Sequence, residues 1–501
     1  MQAVPVIPAP GARPNAEVAD RLKEIEARHS ALGESLEAVR ALFDPLAGQA
    51  PTRLSVLYDY IGVFLVSFLV ALLATPVMRR LAVSNGIIDR PLETRKAHRF
   101  PVAYLGGVAV YLGIMAGILF AYAGDLHGLV SFHPSSKNPQ GGVQAGVPVS
   151  ILLGMTVIML TGLIDDVHKI SPRIKVAGQL VAAAALAYQD VGVKVATQVV
   201  VPLARALGVP LMSGAGGTPT VGFLVPIPGV GDLPVDLVYW IGTGLIAVFV
   251  LGACNASNLI DGLDGLLTGT TAIAAGGLLV VALGMAVMDD GVLDSSRVVL
   301  CLALLGACLG FLPHNFNPAS IFLGDAGSLL LGFATIVVIL TLGDTGRTNL
   351  VIAGLIIYFV PIMDTTLAIV RRKMAGKRIS DPDDQHLHHM LRRALGVKGA
   401  VLALYAIAAG FALLGVALAE WKGRMAYVLA LVFASFIVVT AIKVARRRQI
   451  DEQAAAWDAR AEGRAELPGE APGAGVQGSN GRIKDQHPAR GARDRPEAGS
   501  G

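Results

Sequence analysis

Long apolar stretches alternate with short polar segments along most of this chain. Residues 102–123, 265–288 and 399–419 each lack charged side chains over about 20 positions, the length of helix that crosses a bilayer. Eleven candidate spans follow from this pattern: residues 54–79, 102–123, 147–165, 174–190, 236–254, 265–288, 298–313, 326–343, 348–370, 399–419 and 425–442. The fourth and seventh are short. The pattern predicts an all-α polytopic membrane protein with about eleven transmembrane helices.

Composition agrees with a membrane protein. Hydrophobic residues make up 53% and charged residues 16% of the chain, and the mean hydropathy is +0.60. A soluble protein of this length carries more charge. The net charge of +4 is small, so the distribution of charge is more informative than its sum. The expected partner is the lipid bilayer, and no nucleic-acid partner is expected.

Two segments flank the predicted membrane domain of residues 54–445. Residues 1–53 form an N-terminal extension, in which apolar positions recur in steps of three and four: Val18, Leu22, Ile25, Leu32, Leu36, Val39 and Phe43. This spacing predicts an amphipathic helix that either pairs two copies into a homodimer or packs on the chain's own membrane domain. Residues 446–501 are charged, rich in Gly, Pro and Ala, and predicted to be disordered.

The distribution of Lys and Arg predicts the orientation in the membrane. The loops after odd-numbered spans, with the flank after the last span, hold 21 of these residues, whereas the loops after even-numbered spans hold seven. Cytoplasmic loops carry the excess of positive charge, so the odd-numbered loops and the C-terminus are predicted to be cytoplasmic and the N-terminus outside. The six Lys and Arg of residues 1–53 weaken this bias without reversing it.

Acidic clusters mark two of the predicted cytoplasmic loops. Asp165 and Asp166, in GLIDDVHKISPRIK, lie where a span meets the cytoplasm, and adjacent carboxylates there are costly unless a cation or proton is shared. An ordinary acidic helix end is the alternative. The string NASNLIDGLDGL places Asn255, Asn258, Asp261 and Asp264 three residues apart, which aligns them on one face if the segment is helical.

Three further polar segments lie on the same predicted side. Asp325, in IFLGDAGS, is either functional or a helix N-cap, for which Asp is well suited. The segment DDQHLHHMLRR holds His386, His388, His389, Arg392 and Arg393, which suit anionic groups; a zinc site and a solvated basic loop are the alternatives.

The fifth segment, RKAHRFPVAYLGG, contributes Lys96, His98 and Arg99, which also suit anions. Asp364, near the inner end of a span, is a functional candidate because ionisable groups are rare there. Carboxylates and amides suit Mg²⁺, which commonly binds substrate phosphates as well. The convergence of these groups at the cytoplasmic face predicts phosphoryl chemistry on a lipid.

At these residues the chain resembles the polyprenyl-phosphate N-acetylhexosamine-1-phosphate transferases. The paired aspartates, NxxNxxDGLDGL, FLGDAGS and the HxHH loop occur in the same order, and the likeness covers roughly residues 54–445. The resemblance implies that a UDP-linked amino sugar and polyprenyl phosphate react to give polyprenyl-diphospho-sugar and UMP. It also implies a Mg²⁺ cofactor, with Mn²⁺ as the alternative metal.

The resemblance assigns roles by motif position. Asp325 corresponds to the metal ligand, Asp165 and Asp166 to a pair near the carrier phosphate with Asp165 as base, Asp264 to a uracil contact, and Phe322 to a residue packed on the uracil ring. The predicted catalytic residues are Asp165, Asp166, Asp261 and His388. The predicted substrate-binding residues are Lys96, Asn255, Asn258, Asp264, Phe322, His386, His389 and Arg392. In-line attack and a two-step route through an aspartyl phosphate both remain open.

Two branches of this family compete as predictions. One uses UDP-N-acetylglucosamine and starts lipopolysaccharide O-antigen, teichoic acid or similar glycans; the other uses UDP-N-acetylmuramoyl-pentapeptide and starts peptidoglycan. The second usually has three consecutive histidines, whereas Met390 follows His388 and His389 here, which favours the first. Ala103 and Tyr104 depart from the family pattern. The resemblance implies a bacterial plasma (inner) membrane location.

A secondary transporter is the alternative from another class, since such proteins also carry membrane aspartates and broken helices. Transporter sites lie near the bilayer midplane within repeats. The polar clusters here lie at one face, and the sequence shows no internal repeat, which favours the enzyme.

Overall fold

The computed structural model describes residues 52–89, 101–126, 146–213, 219–227, 231–288, 293–344, 347–374 and 387–421, with isolated positions beyond 427. The chain divides into two units, Met1–Ala441 and Ile442–Gly501. In the second unit the described positions are Lys443, Ala454 and Trp457, each in helical conformation. The predicted amphipathic helix of the N-terminal extension, with its apolar positions from Val18 to Phe43, and most of the predicted tail lie outside the described residues.

Twelve helices make up nearly all of the described part of the first unit. They are α1 (Arg53–Ser84), α2 (Gly106–Leu126), α3 (Val149–His168), α4 (Pro172–Tyr188), α5 (Thr197–Ala206), α6 (Leu237–Ile260), α7 (Leu266–Val287), α8 (Asp294–Asn315), α9 (Gly324–Thr341), α10 (Thr348–Ile357), α11 (Phe359–Met374) and α12 (Leu387–Trp421). A short 3₁₀ turn, Val193–Ala196, precedes α5. The short strands are β1 (Ile88–Asp89), β2 (Val102–Ala103), β3 (Met212–Ser213), β4 (Pro219–Thr220), β5 (Gly222–Ile227) and β6 (Gly231–Asp236).

Eight helices among the described residues are long and apolar enough to cross a bilayer, or up to ten if each of two bent pairs counts as one span. The all-α polytopic prediction is confirmed. The predicted span at 348–370 is not one straight helix: α10 and α11 meet at 79°. Pro361, in the first turn of α11, has no N–H to donate back across the break. The predicted span at 425–442 falls almost wholly outside the described residues.

The seventh predicted span is longer than expected. The sequence places its start at residue 298, after a charged arginine, but α8 begins at Asp294 and has 22 residues. Asp294 and Arg297 are both fully buried and pair with each other, so the helix carries the two charges inside the protein. Arg297 Nε also donates to the Thr341 carbonyl oxygen at 2.8 Å, and Arg297 Nη2 lies 3.9 Å from Asp344 Oδ2.

Helix α9 occupies the centre of the bundle. It packs against α2, α3 and α6, and 94% of its spanning residues are buried, compared with 22% for α1. Two glycines permit the closest crossings: a Cβ on Gly107 of α2 would lie 2.1 Å from Gly327 N, and one on Gly162 of α3 would lie 2.5 Å from Ala326 N. Small residues let helix backbones approach in this way. The N-terminus of α9 is therefore fixed beside α2 and α3.

Backbone hydrogen bonds join the segment before α2 to the segment before α9. Strand β1 pairs antiparallel with β2, and Ala103 forms a parallel bridge to Ile321. Phe322 N donates to Ala103 O at 2.9 Å, and Gly106 N donates to Phe322 O at 3.0 Å. The register of these bonds places Tyr104 beside Phe322.

The loop before α6 contains a small β-hairpin. The Gly and Pro turn residues of this loop and its run TVGFLVPIP are typical of a hairpin. Strands β5 and β6 pair antiparallel, with Gly222 opposite Asp236. The Asp236 side chain then caps α6 by accepting from the N–H groups of Val238 at 2.8 Å and Tyr239 at 3.1 Å. This cap sets where the helix carrying the NASN motif begins.

The buried pair gives a prediction about stability. Asp294→Ala should destabilise the protein by about 3–5 kcal/mol, because Arg297 is left buried without its closest carboxylate. The measurement is the thermal unfolding midpoint of the purified protein in detergent. Lys194→Ala is the matched control: Lys194 pairs with Asp344 at 3.2 Å but is 49% exposed, so its loss should cost about 0–1 kcal/mol. Equal midpoints for the two variants would contradict the structural role of the pair.

Candidate active site

A cavity of about 320 Å³ lies at one end of the bundle, where α6 ends and α9 and α12 begin. Its wall brings together seven of the predicted site residues: Asn258, Asp261, Asp264, Phe322, Asp325, His389 and Arg392. The polar and aromatic lining of the cavity also includes Asp89, Tyr104, Asn315 and Ser328. The cavity is thus built from segments far apart in the sequence.

Asp325 lies at the centre of a charged group. Its Oδ1 accepts a hydrogen bond from Asn258 Nδ2 at 2.9 Å, and its Oδ2 pairs with Lys175 Nζ. The same ammonium lies 2.8 Å from Asp165 Oδ2. Lys175 thereby bridges the two carboxylates from α3 and α9, and its positive charge offsets theirs.

Lys175 is a site residue that the sequence analysis missed. In the sequence it is one of several positive charges in the loop after the third predicted span. Ser171 and Pro172 begin α4 directly after the short turn that ends α3, so the first turn of α4 must lie beside the last turn of α3. This spacing is the signal that identifies Lys175 as a neighbour of Asp165.

Asp166 has a different role from Asp165. Its carboxylate accepts the backbone N–H groups of Asp325 at 2.7 Å and Ala326 at 3.0 Å, so a side chain from α3 caps α9. Gly324 has φ +68°, and a Cβ there would lie 2.5 Å from Asp166 Oδ2. Asp325 itself does not cap α9, so the alternative of an N-cap role for Asp325 is wrong.

The row of Asn and Asp residues does not form one helical face. Helix α6 ends at Ile260, and residues 261–265 form a turn that ends with Gly265 at φ +77°. Asn258 is therefore on the helix, whereas Asp261 and Asp264 are in the turn. Asn255 lies outside the cavity wall and donates to Gln179 Oε1 at 3.1 Å.

The two turn carboxylates face different partners. Asp264 Oδ2 accepts from Asn317 Nδ2 at 2.8 Å and from Ala319 N at 3.0 Å, which ties the turn to the segment before α9. Burial, together with the nearby carboxylates of Asp325, Asp166 and Asp264, raises the pKa of Asp261 to about 8. The crowding of acidic groups makes the cavity suited to a cation.

An aromatic corner closes one side of the cavity. The ring centroids of Tyr104 and Phe322 are 6.1 Å apart, with the rings tilted by 59°. A hydrogen bond joins Tyr104 to Asp89; burial and this carboxylate raise the pKa of the Tyr104 hydroxyl well above its usual value. Tyr104 was noted in the sequence only as a departure from the family pattern, and the structure adds it to the site.

Helix α12 presents two of its predicted residues to the cavity. His389 and Arg392 line the wall. His388 is only 2% exposed and lies against Gly262, where a Cβ would come within 2.6 Å of His388 Nε2. The structure therefore brings His389 to the cavity, with His388 behind the turn. Lys96 and His386 lie outside the described residues.

The donor set can be compared with what a divalent cation needs. Among the described residues, no group of three or more His, Cys, Asp or Glu side chains surrounds one point closely enough to hold a metal alone. Mg²⁺ does not require such a group, since it commonly binds one or two carboxylates together with substrate phosphates and water. Asp325 with neighbouring Asp165 fits that pattern.

A polytopic helical fold with carboxylates, a lysine and an arginine around one end cavity is compatible with a membrane enzyme that acts on phosphorylated substrates. The model of glycosyl transferase family 4 matches residues 148–343, which cover α3 to α9. Because relatives of this class are 32–33% identical over 69–83% of its length, the chain belongs to this family and is a phosphosugar transferase. The enzyme prediction is thereby confirmed over the transporter alternative.

Three relatives show how far the similarity extends. A probable undecaprenyl-phosphate N-acetylglucosaminyl 1-phosphate transferase of Bacillus subtilis is 32% identical over 69% of this chain and 80% of its own length. A decaprenyl-phosphate N-acetylglucosaminephosphotransferase of Mycolicibacterium smegmatis is 33% identical over 83% and 94%. A phospho-N-acetylmuramoyl-pentapeptide-transferase of Desulforudis audaxviator is 31% identical over 71% and 95%.

The two adjacent aspartates should respond differently to substitution. Asp165→Asn should lower kcat severely with only a small change in the thermal midpoint, because Asn keeps the oxygen that accepts from Ile170 N at 2.9 Å and loses only the partly exposed ion pair with Lys175. Asp166→Asn should lower both, since Asn has one acceptor oxygen for two N–H groups and an unsatisfied buried donor costs about 1–3 kcal/mol. Steady-state kinetics and unfolding scans on the same preparations test this. Wild-type rates in both variants would show that the pair is purely structural.

Proposed function

We propose that this enzyme transfers N-acetylglucosamine-1-phosphate from UDP-N-acetylglucosamine to a polyprenyl phosphate such as undecaprenyl phosphate, releasing UMP. This is the first membrane step of a cell-envelope glycan. The observation that carries the proposal is the meeting of side chains from all five predicted cytoplasmic loops at one site. The names of the Bacillus and Mycolicibacterium relatives support the acceptor and the sugar.

Each part of the substrates would bind where the side chains of the site suit its chemistry. The uracil ring would pack on Phe322 and contact Asp264 at the aromatic corner. His389 and Arg392 on α12 suit the diphosphate, since both offer N–H donors to phosphate oxygens. The polyprenyl phosphate would enter from the bilayer and place its phosphate near Asp165 and Lys175.

Charge neutralisation is the main chemical demand of this reaction. An oxygen of polyprenyl phosphate attacks the β-phosphorus, the bond from that phosphorus to the UMP oxygen breaks, and UMP leaves with the negative charge. Asp325 would hold a divalent cation with Asp165 beside it; when bound, Mg²⁺ supplies positive charge to the diphosphate. Asp165 accepts the acceptor's proton if one is present, and Lys175 holds Asp165 and Asp325 at a fixed separation.

Purified enzyme with polyprenyl phosphate, Mg²⁺ and radiolabelled UDP-sugar tests the reaction. UDP-N-acetylglucosamine should give one lipid-linked diphosphosugar for each UMP released, and UDP-N-acetylmuramoyl-pentapeptide should give none. Product from the pentapeptide donor alone would instead support the reaction named for the Desulforudis relative.

Asp325→Asn is the control for the metal role in this assay. Its thermal midpoint should remain near that of the wild type, whereas turnover should be abolished at every Mg²⁺ concentration. Near-normal turnover at saturating Mg²⁺ would exclude Asp325 as the ligand. Mn²⁺ should replace Mg²⁺ at least in part.

Orientation follows from the proposal, because the donor sugar nucleotides are made in the cytoplasm. The cavity should therefore open to the cytoplasm. The protein should lie in the bacterial inner membrane, with the N-terminus outside and the C-terminus inside. The three native cysteines, Cys254, Cys301 and Cys308, are buried and can be replaced. A cysteine at Ser213 should then react with an impermeant maleimide in intact cells, and one at Ser380 only after permeabilisation. Labelling of the Ser380 position in intact cells would place the site in the wrong compartment.

A further inference from the structure

Asp364 makes two hydrogen bonds that no step of the proposed reaction uses. Its Oδ1 accepts from the backbone N–H of Leu387 at 2.8 Å, and its Oδ2 lies 3.3 Å from His388 Nδ1. Asp364 is 1% exposed and His388 2%. A carboxylate buried to this extent is costly unless its hydrogen bonds are satisfied, so these two contacts are needed to keep Asp364 buried.

The two bonds act on the beginning of one helix. Leu387 is the first residue of α12, whose first four N–H groups have no partner within the helix. A carboxylate from α11 accepts one of them and also stabilises the helix N-terminus electrostatically. Asp364 therefore ties the first turn of α12 to α11.

The same carboxylate fixes the imidazole of His388. A carboxylate only accepts hydrogen bonds, so the bond to Nδ1 places the imidazole proton on that nitrogen and turns Nε2 toward Gly262. A Cβ on Gly262 would lie 2.6 Å from Nε2, so the ring fills the space that the glycine leaves. The imidazole is a spacer between Asp364 and the 261–265 turn.

This arrangement positions the residues that follow His388 in α12. His389 and Arg392 share the first turns of α12 with His388 and line the cavity, as do Asp261 and Asp264 of the turn. We propose that Asp364 is a positioning residue, which acts through His388 to set the separation between the anion-binding face of α12 and the 261–265 turn. Neither Asp364 nor His388 is part of the cavity wall. The functional part of this inference rests on the proposed transferase reaction.

Three substitutions test the chain of contacts. Asp364→Asn keeps the volume and an acceptor for Leu387 N, but it offers an N–H group to Nδ1 and so disfavours the required tautomer. His388→Ala removes the spacer. Thr366→Ala is the matched control, since Thr366 is on the same turn of α11, is exposed, and bonds Ile362 O of its own helix at 2.7 Å.

The kinetic readout is a double-mutant cycle on transfer from UDP-N-acetylglucosamine. Asp364→Asn should lower kcat/KM by about tenfold or more, mainly through a higher KM for the UDP-sugar, while Thr366→Ala stays at the wild-type value. The double variant of Asp364→Asn and His388→Ala should be no worse than His388→Ala alone, because the first acts through the second. Wild-type kcat/KM in Asp364→Asn, or costs that multiply in the double variant, would overturn the proposal.

Gly262→Ala tests the contact between the 261–265 turn and the His388 imidazole. The added methyl group should push against the imidazole and raise the same KM without Asp364 being altered. An unchanged KM in that variant would show that the ring does not set the position of the turn.

Hydrogen–deuterium exchange separates this inference from the proposed function. In Asp364→Asn, amide exchange at residues 387–393 should rise, and exchange in α9 should stay at the wild-type level. This result stands even if the wild type transfers no sugar, in which case the reaction has been misassigned and the positioning role has not. Unchanged exchange at residues 387–393 would overturn the positioning role itself.

Discussion

The site depends on one tie between two helices: the Asp166 carboxylate of α3 accepting the first N–H groups of α9. That tie is short only because glycines at positions 162 and 324 leave room for the backbones and the carboxylate. It places Asp325 one residue from the cap and beside Asp165. Without it, the N-terminus of α9 would carry unsatisfied donors in a place that water reaches poorly.

Charge balance is the second constraint, and it follows from the first. Bringing α3 and α9 together also brings together their carboxylates, which raise one another's energy unless a cation lies between them. Lys175 supplies part of that charge from α4, and three further acidic side chains, Asp89, Asp261 and Asp264, line the cavity. In the proposed reaction these acidic groups would help to recruit a divalent cation, and His389 and Arg392, which also line the cavity, would hold the diphosphate.

The sequence predicted the membrane fold and seven residues of the cavity wall because both depend on local signals. Apolar runs mark the spans, and the motif order marks the ends where polar residues converge. The sequence could not predict contacts that depend on how helices cross. The pairing of Asp294 with Arg297 made α8 start earlier than its apolar run, and the bend after Ile357 came from a proline inside an apolar stretch. Asp165 and Asp166 look equivalent as neighbours, yet a helix turns adjacent side chains by about 100°, so they meet different partners.

Helix α9 is surrounded by protein, whereas most residues of α1 lie on the outside of the helix bundle. A bilayer whose thickness differs from the length of the apolar helices is accommodated by tilting or by local thinning, and this adjustment falls on helices in contact with lipid. The outer helices can therefore absorb hydrophobic mismatch while the tie between Asp166 and α9 keeps its geometry. The geometry of the site is in this way insulated from the thickness of the surrounding membrane.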